Sequence, residues 1–273
     1  MTLNLNAIKD PLTGEKINLR RGVDLQVCHS PGQTPALVFL HGGLGNRFNW
    51  RSQYEFFQSQ GREVLVYDLA GHGQSQPYNR YSVGRHCRDL TRLLRHFHIQ
   101  SPILCCHSYG VPIGLEWARR HQVSALVAIA GGTHNLTPMW EIPLIKFLAC
   151  GGRHFYRLPG VAHLTNALSS THRHEPMQRF FAESPVPIEL HPYKAMEIFW
   201  NYNFFQRHSS DWQPDFPVLV VSGGQDPMFT GLMGADLAAY FAQGKHLHID
   251  SAGHLVMAEF PETINGEIAL ILS

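Results

Sequence analysis

The chain has no uninterrupted apolar run of the roughly 18 residues that a membrane-spanning helix needs. It has no block of like charge either: 22 Lys and Arg stand against 21 Asp and Glu, a formal net charge of +1 over 273 residues. That balance argues against a dedicated binder of nucleic acid or of anionic membrane. The opening Met1-Thr2-Leu3-Asn4-Leu5-Asn6 lacks the basic and apolar regions of a secretory signal. Cysteine is sparse and odd in number (Cys28, Cys87, Cys105, Cys106 and Cys150), and no Cys-x-x-Cys spacing occurs. Reduced thiols are therefore expected, not a disulfide framework or a zinc site. The 18 histidines are scattered; His172/His174 and His246/His248 fall at strand-like spacing, but no His-Glu-x-x-His or other dense ligand set is present. These absences lead to the expectation of a cytoplasmic protein with no metal and no cofactor.

What is present is an apolar content of 44%, which excludes general disorder. The length suits one large α/β domain, or a core domain with an insertion. Residues 1–22 are polar and broken by Asp10-Pro11 and Thr13-Gly14, and read as a leading arm. Strands are expected at Val23-Asp24-Leu25-Gln26-Val27, which alternates, and at Ala36-Leu37-Val38-Phe39-Leu40, a continuous apolar run. Further strands are expected at 63–67, 102–107, 124–130, 217–221 and 245–249. Trp50, Tyr54 and Phe57 recur at helical spacing, as do Leu90, Leu93, Leu94 and Phe97. Helices are also expected at 111–120, 232–241 and 262–271. From 133 to 212 the strand–helix rhythm stops. This stretch is rich in aromatics and His and is cut by seven prolines. It reads as a helical insertion with its own packing. The expected fold class is α/β: an open, mostly parallel sheet with helices on both faces. Residues 1–132 and 213–273 form the core, and 133–212 a helical cap.

The stretch Cys105-Cys106-His107-Ser108-Tyr109-Gly110 joins a buried strand directly to a helix. Such a corner puts one residue in a strained conformation and needs small neighbours two positions away. A Ser there stands clear of the sheet with helix N–H groups behind it, so Ser108 is a candidate nucleophile. The same Ser could serve only as a helix N-cap. In an open parallel sheet, sites lie beyond the carboxyl ends of strands. His41-Gly42-Gly43, Asp68, Ser108, Asp226 and His254 all fall there, and Ser, Asp and His occur in that chain order.

These motifs resemble the α/β-hydrolase superfamily, in its cap-bearing serine hydrolase branch, over about residues 20–272. The resemblance rests on His41-Gly42-Gly43, Asp68-x-x-Gly71-x-Gly73-x-Ser75, His107-Ser108-Tyr109-Gly110, Gly224-Gln225-Asp226 and Gly253-His254. The departure is Cys106, where the family mostly has Gly. The resemblance implies Ser108 as nucleophile, His254 as base and Asp226 as the acid that orients it. It implies the backbone N–H groups of Gly43 and Tyr109 as oxyanion donors. Asp211, Asp215 and Asp250 are rivals to Asp226, and Cys106 to Ser108. Asp68, His72 and His107 are expected to brace loops. Trp140, Phe147 and Trp200 of the insertion are candidate substrate contacts.

The implied activity is cleavage of a carboxylic ester or related acyl bond of a hydrophobic small molecule. Relatives that open epoxides or carbon–halogen bonds carry Asp at the corner. A C–C bond hydrolase, a lyase or an acyltransferase could use the same triad, and a non-catalytic hydrolase-fold binding protein is the rival outside enzymes.

Overall fold

The computed structural model describes residues 10–19, 22–132, 141–158, 160–161, 172, 174–208 and 212–273. Eight strands form one sheet: β1 (Glu15–Asn18), β2 (Asp24–Ser30), β3 (Gln33–Leu40), β4 (Arg62–Tyr67), β5 (Ile103–His107), β6 (Ala125–Ile129), β7 (Val218–Gly223) and β8 (Gly244–Ile249). Their order is β1-β2-β4-β3-β5-β6-β7-β8. The pairs β1/β2 and β2/β4 are antiparallel, and every later pair is parallel. The expected parallel core is thus extended by an antiparallel edge.

Part of that edge corrects the reading of 1–22 as an arm. Residues 10–18 are folded: Asp10 caps a short 3-10 turn, Pro11–Thr13, and β1 pairs Ile17 with Leu25. Only Ile17 of β1 is buried, so the strand carries no apolar alternation to read. Residues 1–9 lie outside the described part.

The central strands owe their buried position to their composition. Every residue of β5, β6 and β7 is buried, as a strand covered on both faces requires. Helices α1 (Arg51–Ser59), α2 (Val83–His96) and α3 (Gly110–Ala118) follow β3, β4 and β5. In α1, Tyr54 and Phe57 face the core, behind Trp50 of the preceding 3-10 turn. Asn46 starts that turn, its side chain accepting the Phe48 N–H and bonding back in a capping box with Asn49. In α2, Leu90, Leu93 and Leu94 are buried as the periodicity predicts, and so are His86 and Asp89.

Between β6 and β7 lie four described α-helices, α4 (Glu141–Ala149), α5 (Glu175–Glu183), α6 (His191–Ala195) and α7 (Phe204–Arg207), with 3-10 turns at Gly152–Arg157 and Met196–Asn201. This is the insertion region. It is tied to the core by Arg51, whose guanidinium reaches Glu183 on α5 at 2.6 Å. Asn46 and Asn49 also bond Glu183 O and the Ser184 hydroxyl. The alternation resumes with α8 (Gly231–Tyr240), α9 (Val256–Glu259) and α10 (Pro261–Leu272). The short α9, which the sequence reading lacks, matters for the site below. Among the described residues no helix is long and apolar enough to cross a membrane.

Candidate active site

Strand β3 ends at Leu40, β5 at His107, β7 at Gly223 and β8 at Ile249. The loops beyond these carboxyl ends carry His41-Gly42-Gly43, Ser108, Asp226 and His254. The order reverses direction at β3/β5, where such folds place their crevice.

Ser108 holds φ +46°, in the left-handed region that disfavours a residue with a Cβ. The corner is over-determined on all sides. Ser108 N–H donates to Ile129 O at 2.8 Å, and its carbonyl accepts the Val111 N–H at 3.0 Å. A Cβ at Gly131 would stand 2.7 Å from the Ser108 carbonyl oxygen, so β6 leaves past the corner only because that residue has no side chain. Cys106 is fully buried, and a Cβ at Gly114 on α3 would overlap its Sγ. The space that a Gly at 106 would leave open is supplied from the helix instead.

His254 Nδ1 lies 2.8 Å from Asp226 Oδ2. Asp226 Oδ1 accepts the N–H groups of Met228 at 2.8 Å and Phe229 at 3.1 Å. Burial pushes the Asp226 carboxyl up, but the His254 ring and these two donors outweigh it and hold the group below its ordinary value. An ionised carboxylate therefore receives the Nδ1 proton and leaves Nε2 as the acceptor face. Asp250, a rival, is turned instead to His248 at 3.4 Å. Asp215 offers its backbone carbonyl to Gln243, and Asp211 lies outside the described residues.

Three contacts fix the backbone that carries His254. The carboxylate of Glu259, on α9, accepts the N–H of Gly253 at 2.9 Å and of Leu255 at 3.1 Å, the residues on either side. His107 Nε2 donates to the His254 carbonyl at 2.9 Å. Glu259 also meets His172 of the insertion at 2.8 Å. Sequence reasoning missed Glu259: its only signal is a Glu five residues after the His, which means nothing until α9 turns it back.

The glycine loop after β3 is oriented by His41. Leu69 N–H donates to His41 Nε2 at 2.9 Å, so the ring proton sits on Nδ1 and is given to Gly42 O at 2.7 Å. In a trans peptide the C=O and the next N–H point opposite ways. By holding the Gly42 carbonyl, His41 turns the Gly43 N–H in the other direction. Tyr109, whose N–H is the other expected donor, opens α3 and is buried with its hydroxyl on His86 Nε2 at 2.8 Å. Asp68 braces the neighbouring loop: it binds Arg47 Nη1 at 2.6 Å and the Gln74 N–H at 2.8 Å. Arg47 in turn donates to Leu12 O and Thr13 O. Burial pushes His41 down to about 4, His72 and His107 to about 3, and His86 well below its ordinary value. All four are neutral structural groups.

Of the insertion, Met196 reaches the loop: a Cβ at Gly43 would overlap its Sδ. A hollow of about 410 Å³ opens beside the same loop, between Leu44, Gly45 and Asn46 and the segment 185–192. Phe147 is half exposed and stacks on Phe155, with ring centroids 6.0 Å apart. Trp140 and the side chain of Trp200 lie outside the described part. No group of three or more metal-ligating side chains occurs among the described residues.

Residues 35–261 match the family model described as alpha/beta hydrolase fold. Human "Protein ABHD8" is 31% identical over 255 residues, covering 87% of this chain and 55% of that protein. The chain thus spans about half the length of that relative. "3-oxoadipate enol-lactonase 2" of Acinetobacter baylyi is 23% identical over 282 residues, 97% of this chain and 96% of that one. Among solved structures, an esterase from Exiguobacterium antarcticum superposes with a TM-score of 0.78 at 16% identity, covering 95% and 100% of the two chains.

Proposed function

Because the chain belongs to the α/β-hydrolase fold family, we propose that it is a serine hydrolase cleaving a carboxylic ester or related acyl bond of a hydrophobic small molecule. The observation that carries this reading is the His254–Asp226 pair at 2.8 Å, on a loop that His107 ties directly to the strained Ser108 corner. In this reading Ser108 Oγ attacks the acyl carbonyl as His254 Nε2 takes its proton. Asp226 holds the tautomer and stabilises the imidazolium. The N–H groups of Gly43 and Tyr109 receive the oxyanion; one such donor is worth about 3–4 kcal/mol in comparable sites. The leaving alcohol takes the proton from His254. Water then attacks the acyl-enzyme by the same route in reverse, releasing the acid and restoring Ser108.

The hydrophobic substrate class is supported by the hollow beside the glycine loop. Leu44, Pro77, Val186, Pro187, Ile188 and Pro192 line it. Of its polar side chains, three are committed to the protein, Ser75 to Asp68 O and the Gln26 N–H, Asn46 to Glu183 O and His191 to the Tyr81 hydroxyl, while Glu189 stands on one side of it. An alkyl or acyl chain suits such a wall. In this reading 133–212 acts as the lid, with Met196 over the oxyanion donor. The similarity to an enol-lactonase, which by its name acts on a cyclic acyl–oxygen bond, fits the same bond class.

The test uses p-nitrophenyl esters of graded chain length, a panel of lactones and a fluorophosphonate probe. Wild type should be labelled and turn over at least one acyl class. Ser108→Ala should lose labelling and about 10⁴-fold or more of kcat while keeping its melting temperature. A folded wild type that neither reacts with the probe nor cleaves any of the panel would sink the proposal.

A further inference from the structure

Among the described residues, six large apolar side chains are exposed: Phe147, Phe155, Leu158, Phe205, Leu232 and Leu270. Isolated ones need no explanation, but three of the six fall within twelve residues of the insertion, and a cluster does. Phe147 is 54% exposed, Phe155 56% and Leu158 51%. The cluster is built, not frayed. The Phe147 ring lies over Gly152, where a Cβ would overlap it, and stacks on Phe155 at an interplanar angle of 20°. Arg153 locks the turn by donating to Ile188 O at 2.7 Å and to Ala149 O at 3.0 Å. The next residue of α4, Leu148, is buried. Lys146 and His154 are exposed beside the aromatic pair.

The charge of the chain is unevenly spread. Residues 133–174 contain Lys146, Arg153, Arg157 and Arg173 against Glu141 alone, a net +3 with His neutral. The whole chain is +1, so the remainder is −2. The near-neutral total, which argues against an anionic surface as a partner, conceals a basic segment: residues 175–212 carry three cations against five acids, so the insertion is +1 as a whole and its excess of positive charge lies in 133–174. Exposed aromatics beside the exposed Lys146, in a segment 146–158 that carries no acid, match the two terms of interfacial binding: apolar insertion at the acyl boundary and attraction to anionic headgroups. Ile188, which Arg153 holds, also lines the hollow beside Leu44, so the patch is joined to the wall of that hollow.

We propose that the exposed face of residues 146–158 docks on an anionic lipid surface. The docking is a property of this face and does not depend on the ester-cleaving reading, because it requires neither Ser108 nor His254. The chain carries its own reporter. Of its five cysteines only Cys150, between the two phenylalanines, is exposed. A polarity-sensitive thiol-reactive fluorophore on Cys150 therefore reads the environment of the patch.

The labelled full chain is titrated with vesicles of phosphatidylcholine alone and of phosphatidylcholine with a minor share of phosphatidylglycerol, and bound protein is sedimented. The expected result is co-sedimentation with the anionic vesicles, a blue shift of the label and weaker binding to phosphatidylcholine alone. Phe155→Ser/Leu158→Ser should weaken partitioning by about tenfold or more. Lys146→Glu, with its melting temperature measured alongside, should weaken it by about fivefold. Ser108→Ala should bind as wild type does, which separates this result from the fate of the catalytic proposal. Absence of wild-type sedimentation overturns the inference. So does sedimentation with an unshifted label, equal binding to both vesicle types, or a double variant that melts like wild type and still binds equally.

Discussion

The ring of His107 donates through Nε2 to the backbone carbonyl of His254, 2.9 Å away. The residue before the proposed nucleophile thereby holds the loop of the proposed base. Its Nδ1 is buried without a partner among the described residues, so the contact to His254 is what the ring contributes. His107→Ala should lower kcat on a turned-over ester by about ten- to a hundredfold, because misplacement of a catalytic group by an ångström costs on that order. His107→Gln, whose amide N–H can stand near the Nε2 position, should recover part of the loss. Steady-state kinetics with melting curves decide it: equal activity in all three proteins would show that the tether does not position His254.

Glu259 embraces the same loop from the other side. Glu259→Gln keeps the shape but turns one acceptor into a donor facing an N–H. A buried donor left unanswered costs about 1–3 kcal/mol. The variant should melt several degrees lower and lose turnover. The sensitive readout is fluorophosphonate labelling rate, which should fall even where the protein is fully folded. An unchanged rate would separate Glu259 from the site.

Cys106 and Gly114 share one space. Gly114→Ala should destabilise by about 1–3 kcal/mol, since its methyl would overlap Sγ. Cys106→Gly should be mildly destabilising through lost packing. Combined, the two should recover most of the Gly114→Ala loss, giving a coupling energy of about 1 kcal/mol or more in denaturant unfolding. Additive effects would mean that the fit is not a volume exchange.

Acid should unfold this protein earlier than carboxylates alone would predict. His41, His72, His86 and His107 are buried and neutral, with native pKa values pushed below the ordinary 6.5. The unfolded chain takes up protons that the native one refuses. Stability is therefore whole above about pH 6.5 and is lost as pH falls from there toward 3–4, by up to about 1.4 kcal/mol per unit for each ring. The Asp226 carboxyl, lowered by its partners, adds its own loss only below the ordinary carboxylate range. Unfolding midpoints at pH 7.5, 6 and 5 should decline steadily; a flat series would contradict the burial of these rings.

Much of this was legible in the sequence, and the reasons are physical. Buried parallel strands announce themselves as continuous apolar runs, and Ser108 and Asp226 follow such runs; His254 follows β8, a partly exposed edge strand whose alternation and following glycine are the signal instead. The strand β1 was not legible because one buried residue in four leaves no period. Burial of His86 and His107 was not legible because imidazole suits either a core or a surface. Glu259 acts through a return of the chain that no local spacing encodes. The Cys106 departure looks like a defect in a motif; its compensation is eight residues downstream by chain count, at Gly114, but adjacent across the strand–helix interface.

Residues 10–13 supply acceptors to two buried guanidinium groups. Leu12 O and Thr13 O receive Arg47, and Asp10 receives Arg51. Those arginines flank the turn that follows the glycine loop, and through Glu183 one of them holds the insertion. The match to the family model begins at residue 35, well after this point. The segment that the family model matches is thus shorter than the unit of folding. A polypeptide trimmed to the matched boundaries would lose the edge strands and leave two interior cations short of their acceptors, beside the loop that carries Gly43.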